Sequence, residues 1–254
     1  MLPSFEFFLV AIPAVAVVGL SKGGLGGAFA LVGVPLMALA VPPMQAAAIF
    51  LPILLVMDAV ALWAWRQYND RRTLFILLPG AILGIGLGWA TSSYVSANAM
   101  RLVLGLITVA FVLRFVAETY VRHRGNEIAA RSHNSVLATF WGTVCGYSSF
   151  VAHAGGPPFQ IYVLPLKLDP RSYTGASVRF FALVNLIKVI PYFALGELDT
   201  ENLTLSFFLL PVALVSTLAG AQLVKMMKPA IFYPFMYGMA LIAGLKLLWD
   251  GIGL

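Results

Sequence analysis

Six apolar segments of membrane-spanning length dominate this chain: Met44–Trp65, Thr73–Thr91, Asn98–Ala117, Tyr173–Leu195, Leu203–Val224 and Ala230–Trp249. About 20 apolar residues in a helix cross a hydrocarbon core, so each segment predicts a spanning helix. Composition agrees: 10% of the 254 residues are charged and 61% hydrophobic, with mean hydropathy +0.92. A soluble domain carries about a quarter charged residues, and so few could not cover an aqueous surface. The chain has length for about eight spans and for no attached soluble domain. Its net charge of +6 sits in short loops between apolar runs, which fits cytoplasmic loops better than a nucleic-acid face. Cys145 is alone, which excludes an intrachain disulfide or a multi-cysteine metal site. The first apolar run, Phe5–Leu20, follows a stretch without Lys or Arg and reads as mature protein, not a signal peptide.

Two further apolar regions, Phe7–Val41 and Val136–Leu166, are too long for one span and are interrupted by Gly and Pro. They open two halves with matching landmarks. Gly33-Val34-Pro35 aligns with Gly155-Gly156-Pro157, Pro43 with Pro170, Asp58 with Asn185 and Trp65 with Tyr192. Leu77-Leu78-Pro79 then aligns with Leu209-Leu210-Pro211, and Gly88 with Gly220. The order of these matches predicts a duplication: a first transmembrane repeat at 1–119, a cytoplasmic linker at 120–134 and a second repeat at 135–254. Basic loops (Arg66, Arg71 and Arg72; Arg122, Arg124 and Arg131; Lys225 and Lys228) alternate with the acidic Gly196–Glu201 and the uncharged Thr91–Asn98. With basic loops inside, both chain ends face outward and neither broken region makes a net crossing. The expected fold is an all-α polytopic membrane protein of two inverted-topology repeats. Each begins with a broken helical hairpin, followed by three spanning helices, an architecture common in secondary transporters.

The breaks carry the candidate chemistry. Gly19-Leu-Ser-Lys-Gly-Gly-Leu-Gly-Gly27 is poor helix, since each interior Gly costs about 1 kcal/mol relative to Ala. Irregular backbone at membrane depth persists only where protein or a water-filled cavity satisfies it. A helix starting near Ala28, and another starting at the prolines of His153-Ala-Gly-Gly-Pro-Pro158, would aim N-terminal N–H groups at an anion. The expectation is that Ser21–Gly27 and Ser148–Pro157 meet near the midplane and hold it together. Lys22 lies in the first break, where a buried charge costs at least about 2.5 kcal/mol without a partner or substrate. Around it the candidate binding residues are Gly23, Gly24, Gly26 and Gly27. Around the second break they are Ser148, Ser149, His153, Gly155, Gly156 and Gln160. Asn185 and Lys188 share a helix face. An Asp58–Lys188 ion pair and direct contact of Lys188 with substrate are both open, and Arg179 could reach the site or the interface. Asp58 and His153 are the candidate coupling groups, His153 because imidazole titrates near neutrality. Gly80, Gly84 and Gly88 read as close helix packing, and Trp65, Tyr68, Tyr94, Tyr120 and Trp249 as interface anchors. No nucleophile–base set, paired carboxylates or metal-spaced cluster suggests an enzyme. The reading assigns no catalytic residue, metal or cofactor.

The first motif followed by Val34-Pro35, Gly142-x-x-x-Gly146 followed by Gly155-Gly156-Pro157, and Tyr173-x-Gly175 with Asn185 and Lys188 resemble the paired signatures of the TauE/SafE sulfite-exporter family. The resemblance covers almost the whole chain. It implies a multi-pass inner (plasma) membrane transporter, by function an exporter, of sulfite, sulfoacetate or another small organosulfonate. The expected partners are that anion and the bilayer, with pairing of two copies left open. A passive anion channel, or a carrier for a small carboxylate, is the alternative. Ser148-Ser149-Phe-Val-Ala-His153 is less glycine-rich than the family's usual second loop, which leaves the ligand open within this class.

Overall fold

The computed structural model describes residues 5–25, 27–41, 43–91, 94, 96–121, 130–152, 154–194 and 200–253. These residues are helical or irregular, with no strand among them. In chain order the helices are α1 (Phe5–Leu20), α2 (Gly27–Met37), α3 (Pro43–Ala64), α4 (Arg71–Thr91), α5 (Ala97–Val121) and α6 (Ser135–Ala152). There follow α7 (Gly156–Val163), α8 (Pro170–Ala194), α9 (Thr200–Met226) and α10 (Pro229–Ile252). A π-helical turn at Ser21–Leu25 joins α1 to α2, and a short 3-10 turn at Leu164–Leu166 follows α7. Six helical stretches among the described residues are long and apolar enough to cross a membrane: Phe5–Leu25, Arg71–Thr91, Asn98–Ala117, Pro170–Ile190, Thr200–Met226 and Pro229–Ile252. The protein is therefore an all-helical, multi-pass membrane protein.

The two broken regions fold as expected in kind and differ in proportion. Both form a helix, an interruption and a second helix. Their limbs are unequal, whereas the sequence suggested two short helices. The first limbs have 16 residues plus the π turn, and 18; the second limbs have 11 and 8. The helix runs past Gly19 because that glycine packs against α9 instead of breaking the chain: a Cβ there would sit 1.9 Å from Ser216 Oγ. The break falls at Gly24, whose φ of 133° suits a residue without Cβ.

Helix starts recur at a near-constant offset along the chain. The starts at 5 and 135, 27 and 156, 43 and 170, 71 and 200, and 97 and 229 are separated by 127 to 132 residues. The landmark Gly33-Val34-Pro35, aligned at 122, lies within α2, whereas Gly155–Pro157 opens α7. At the offset of the helix starts, the opening of α7 corresponds instead to the start of α2 at Gly27.

The chain packs as two compact units, each drawing on both sides of the 120–134 linker. One comprises Met1–Asp70 and Pro170–Met227, the other Arg71–Asp169 and Lys228–Leu254. In the first unit, Phe7, Val15 and Val18 of α1 pack with Phe50, Ile53 and Met57 of α3 and Leu209 of α9. There α1 lies close along α9, and Cβ atoms on Gly23 and Gly220 would fall 2.4 Å from Thr217 O and Leu20 O. In the second unit, α4 crosses α6 as closely: Cβ atoms on Gly80, Gly84 and Gly146 would fall 2.2, 2.1 and 2.1 Å from Thr139 O, Thr143 O and Ala81 O. Lipid tails give no hydrophobic drive for helix association, so small residues that let backbones meet supply van der Waals contact instead. Large apolar side chains outside these contacts, such as Leu9, Phe75, Leu106 and Phe207, are exposed, as lipid-facing residues are.

Candidate functional site

The first unit buries a charged cluster against its broken hairpin. Lys22 Nζ lies 2.7 Å from Asp58 Oδ1, and Asn185 Nδ2 donates to Asp58 Oδ2 at 2.6 Å. Asp58 is 4% exposed and Asn185 4%. A carboxylate removed from water needs both charge compensation and hydrogen bonds, and here α1's π turn supplies one and α8 the other. The partner that Lys22 requires is thus present within the protein. Lys188, one turn beyond Asn185 on α8, is 3% exposed.

Trp65 holds the break itself. Expected at the membrane interface, it is instead fully buried, and its indole Nε1 donates to Gly23 O at 2.9 Å. This corrects the sequence reading: the indole has a buried carbonyl to satisfy, and the Lys225 ammonium lies 5.3 Å over its ring. Arg179 is likewise engaged with main chain. Its guanidinium donates to Trp65 O (3.3 Å), Tyr68 O, Gly175 O (3.0 Å) and Arg66 O (3.0 Å), carbonyls largely at the C-terminal end of α3. Cations are favourable at helix C-termini, where carbonyls lack helical partners. Gly175 allows this approach, since a Cβ there would lie 2.1 Å from Tyr68 O.

One residue of this cluster escaped the sequence reading. Thr217 of α9 lies against Gly23, is fully buried, and among the described residues has no hydrogen-bond partner for its Oγ1. The only available signal was its position three residues before Gly220, which the order of landmarks aligned with Gly88.

The second break lies in the other unit. Its irregular backbone is sewn by short side chains: Ser148 Oγ donates to Cys145 O and Ala154 O at 3.2 and 3.1 Å, and Cys145 Sγ to Gly155 O at 3.0 Å. Ala154 N donates to Ser148 O. Cys145 therefore does more than fill space. The start of α7 offers fewer donors than its position suggests. Pro157 and Pro158 have no N–H, and Phe159 N donates to Gly155 O, which leaves Gly155 and Gly156 to supply main-chain N–H groups.

Gln160 stands out at this break. It is 2% exposed, yet among the described residues neither Nε2 nor Oε1 has a hydrogen-bond partner. Buried side-chain amides are nearly always satisfied, and an orphan calls for an explanation. Gln160 lies one turn into α7, and helical side chains lean toward the N-terminus, which inclines its amide toward the break. Ser149 is also buried there. Gly26 and His153 lie outside the described residues, as do the acidic loop 195–199 and linker residues 122–129.

Against the known families, the model for sulfite exporter TauE/SafE matches residues 11–247. The chain belongs to the TauE/SafE family. Helices α2 to α9 lie within that match, and α1 and α10 overlap it. Comparison with curated proteins and with solved structures gives no significant match. Membership in a family of transporters accounts for buried polar clusters in a membrane protein, where such groups mark solute pathways.

Proposed function

We propose that this TauE/SafE protein is a secondary carrier that exports a small sulfur-containing oxyanion, such as sulfite or an organosulfonate. The observation that carries the reading is the unsatisfied Gln160 amide beside the break before α7. A sulfonate or sulfite oxygen accepts from Nε2, while the Gly155 and Gly156 N–H groups supply further donors. Ser148, already donating within the break, shapes this site rather than binding the anion.

Lys22, Asp58 and Asn185 form the coupling centre of the first break. Asp58 holds the Lys22 ammonium in the absence of substrate, and an arriving anion competes for it. Transfer of Lys22 between a fixed and a mobile anion keeps charge compensated throughout, which favours discrete states over an open pore. Lys188 and the hydroxyl of Thr217 border this centre, and Arg179 positions α8 through the carbonyls at the end of α3. The inverted repeat is supported by the near-constant spacing of helix starts, by the equivalent pairings α1 with α9 and α4 with α6, and by the direct bond between the repeat mates Asp58 and Asn185. Mates can touch only near an axis relating the halves.

The test is flux in proteoliposomes. A carrier gives saturable sulfite or sulfoacetate transport with counterflow of labelled substrate. Steady, unsaturable anion conductance would show a channel, and counterflow with small carboxylates alone would replace the substrate class.

A further inference from the structure

Unit Arg71–Asp169 with Lys228–Leu254 contains a cleft of about 410 Å³ that the transport reading does not use. It is bounded by α5, α6, α7 with its following 3-10 turn, and α10. Three cations line it, Arg114, Arg131 and Lys167, with the Ser132 hydroxyl, and no carboxylate is among the described lining residues. The rest of the lining is largely apolar, including Ile107, Phe111 and Trp141. Tyr237 of α10, 5% exposed, stacks on Phe115 with ring centroids 3.6 Å apart and planes 5° apart, forming an aromatic floor.

The polar and apolar parts are separated along the helices. Arg114 lies in the last turn of the apolar stretch Asn98–Ala117, and Ile107 lies seven residues, or about 10 Å, further into it. On α6 the order runs the other way: Arg131 and Ser132 precede the helix, and Trp141 is two turns inside it. Cations therefore gather at the end of the spans next to the linker, and the apolar wall descends about two turns from them.

We infer that this cleft holds one anionic phospholipid, with its phosphate on Arg114, Arg131 and Lys167 and its glycerol and upper acyl chains along the Ile107–Trp141 wall. A soluble anion would leave that wall without a partner. A zwitterionic lipid would bring an ammonium group against described charged lining residues that are all cationic. Basic pockets between spans on the cytoplasmic side suit anionic headgroups, and the basic loops mark this side as cytoplasmic.

The experiment is native mass spectrometry of the purified full-length protein titrated with an equimolar mixture of phosphatidylglycerol and phosphatidylcholine. One phosphatidylglycerol should be retained in preference to phosphatidylcholine. Each surface-level cation contributes about fivefold to such binding. An Arg114→Gln/Lys167→Gln variant, altered at two exposed side chains, should therefore lose about 30-fold in affinity by the same rule. Thermal unfolding supplies a second readout: phosphatidylglycerol should stabilise the wild type and not the variant. Equal retention of the two lipids by the wild type would overturn the inference. So would variant affinity equal to wild type, or stabilisation of the same size from inorganic phosphate alone.

Discussion

Replacing Gln160 by Met separates a ligand-binding amide from a structural one. Met keeps most of the volume and adapts to its cavity, while removing two buried polar atoms without partners among the described residues. An unsatisfied buried group costs about 1–3 kcal/mol, so Gln160→Met should stabilise the substrate-free protein. At about 2–4 °C of melting temperature per kcal/mol for a chain of this size, the expected rise is a few degrees. A thiol-reactive dye can follow unfolding directly, because Cys145 is the single cysteine and is fully buried. Binding should move the opposite way. A hydrogen bond to a charged group contributes about 1.5–3 kcal/mol, so affinity for sulfite or sulfoacetate should fall tenfold or more, read as a raised half-saturation concentration in proteoliposome flux. A lower melting temperature would show that Gln160 supports the fold, and unchanged half-saturation would remove it from the binding site. Either result refutes the argument.

Lys22→Met or Asp58→Asn alone should destabilise by about 3–5 kcal/mol, the cost of stranding one partner of a buried pair. The double variant should recover much of that in the same dye assay while remaining inactive in flux. In the α4–α6 crossing, Gly84→Ala should lower the melting temperature by several degrees, because its Cβ would meet Thr143 O at 2.1 Å, whereas Gly86→Ala, with nothing within 4 Å, should not lower it. For orientation, single cysteines at Gln67 and at Ala130 in a Cys145→Ala background should resist an impermeant thiol reagent applied to intact cells and react once the cytoplasmic side is opened.

The spanning helices were legible because an apolar run of about 20 residues has one outcome in a bilayer. Thr73–Thr91 became α4 with small shifts at the ends, whereas Met44–Trp65 became α3, whose described apolar stretch, Ala48–Ala64, is shorter than the six span-length ones. Gly80, Gly84 and Gly88 were legible as contacts because small residues repeating at helical spacing serve packing. The precise break was not legible, because Gly19, Gly23 and Gly24 look alike in sequence. Tertiary contact with Ser216 and Thr217 keeps the first two in the helix, and only Gly24 takes a positive φ. Partner choice was equally hidden. Lys22, Asp58, Asn185 and Lys188 were all singled out, but the placement of Lys22 on Asp58 depends on how α1 and α3 pack. Trp65 was misplaced because its neighbours Arg66 and Tyr68 do mark a span end, and nothing local shows its indole turning inward to Gly23. The orphan amide of Gln160 is defined by what does not surround it, which no local pattern records.

The ribosome imposes a further order on the interleaved units. α1, α2 and α3 are made roughly 105 residues before α8 begins, which at about 5–20 residues per second is a wait of roughly 5–20 s. Throughout that interval the unit to which they belong lacks α8 and α9, so Asp58 has no Asn185 to donate to it. Lys22 is already present, only 36 positions away in the chain. The nascent first half thus carries its own counterion for the most costly side chain it must insert, and nascent chains with Lys22 replaced should be the ones that membrane quality control removes before the second half is synthesised.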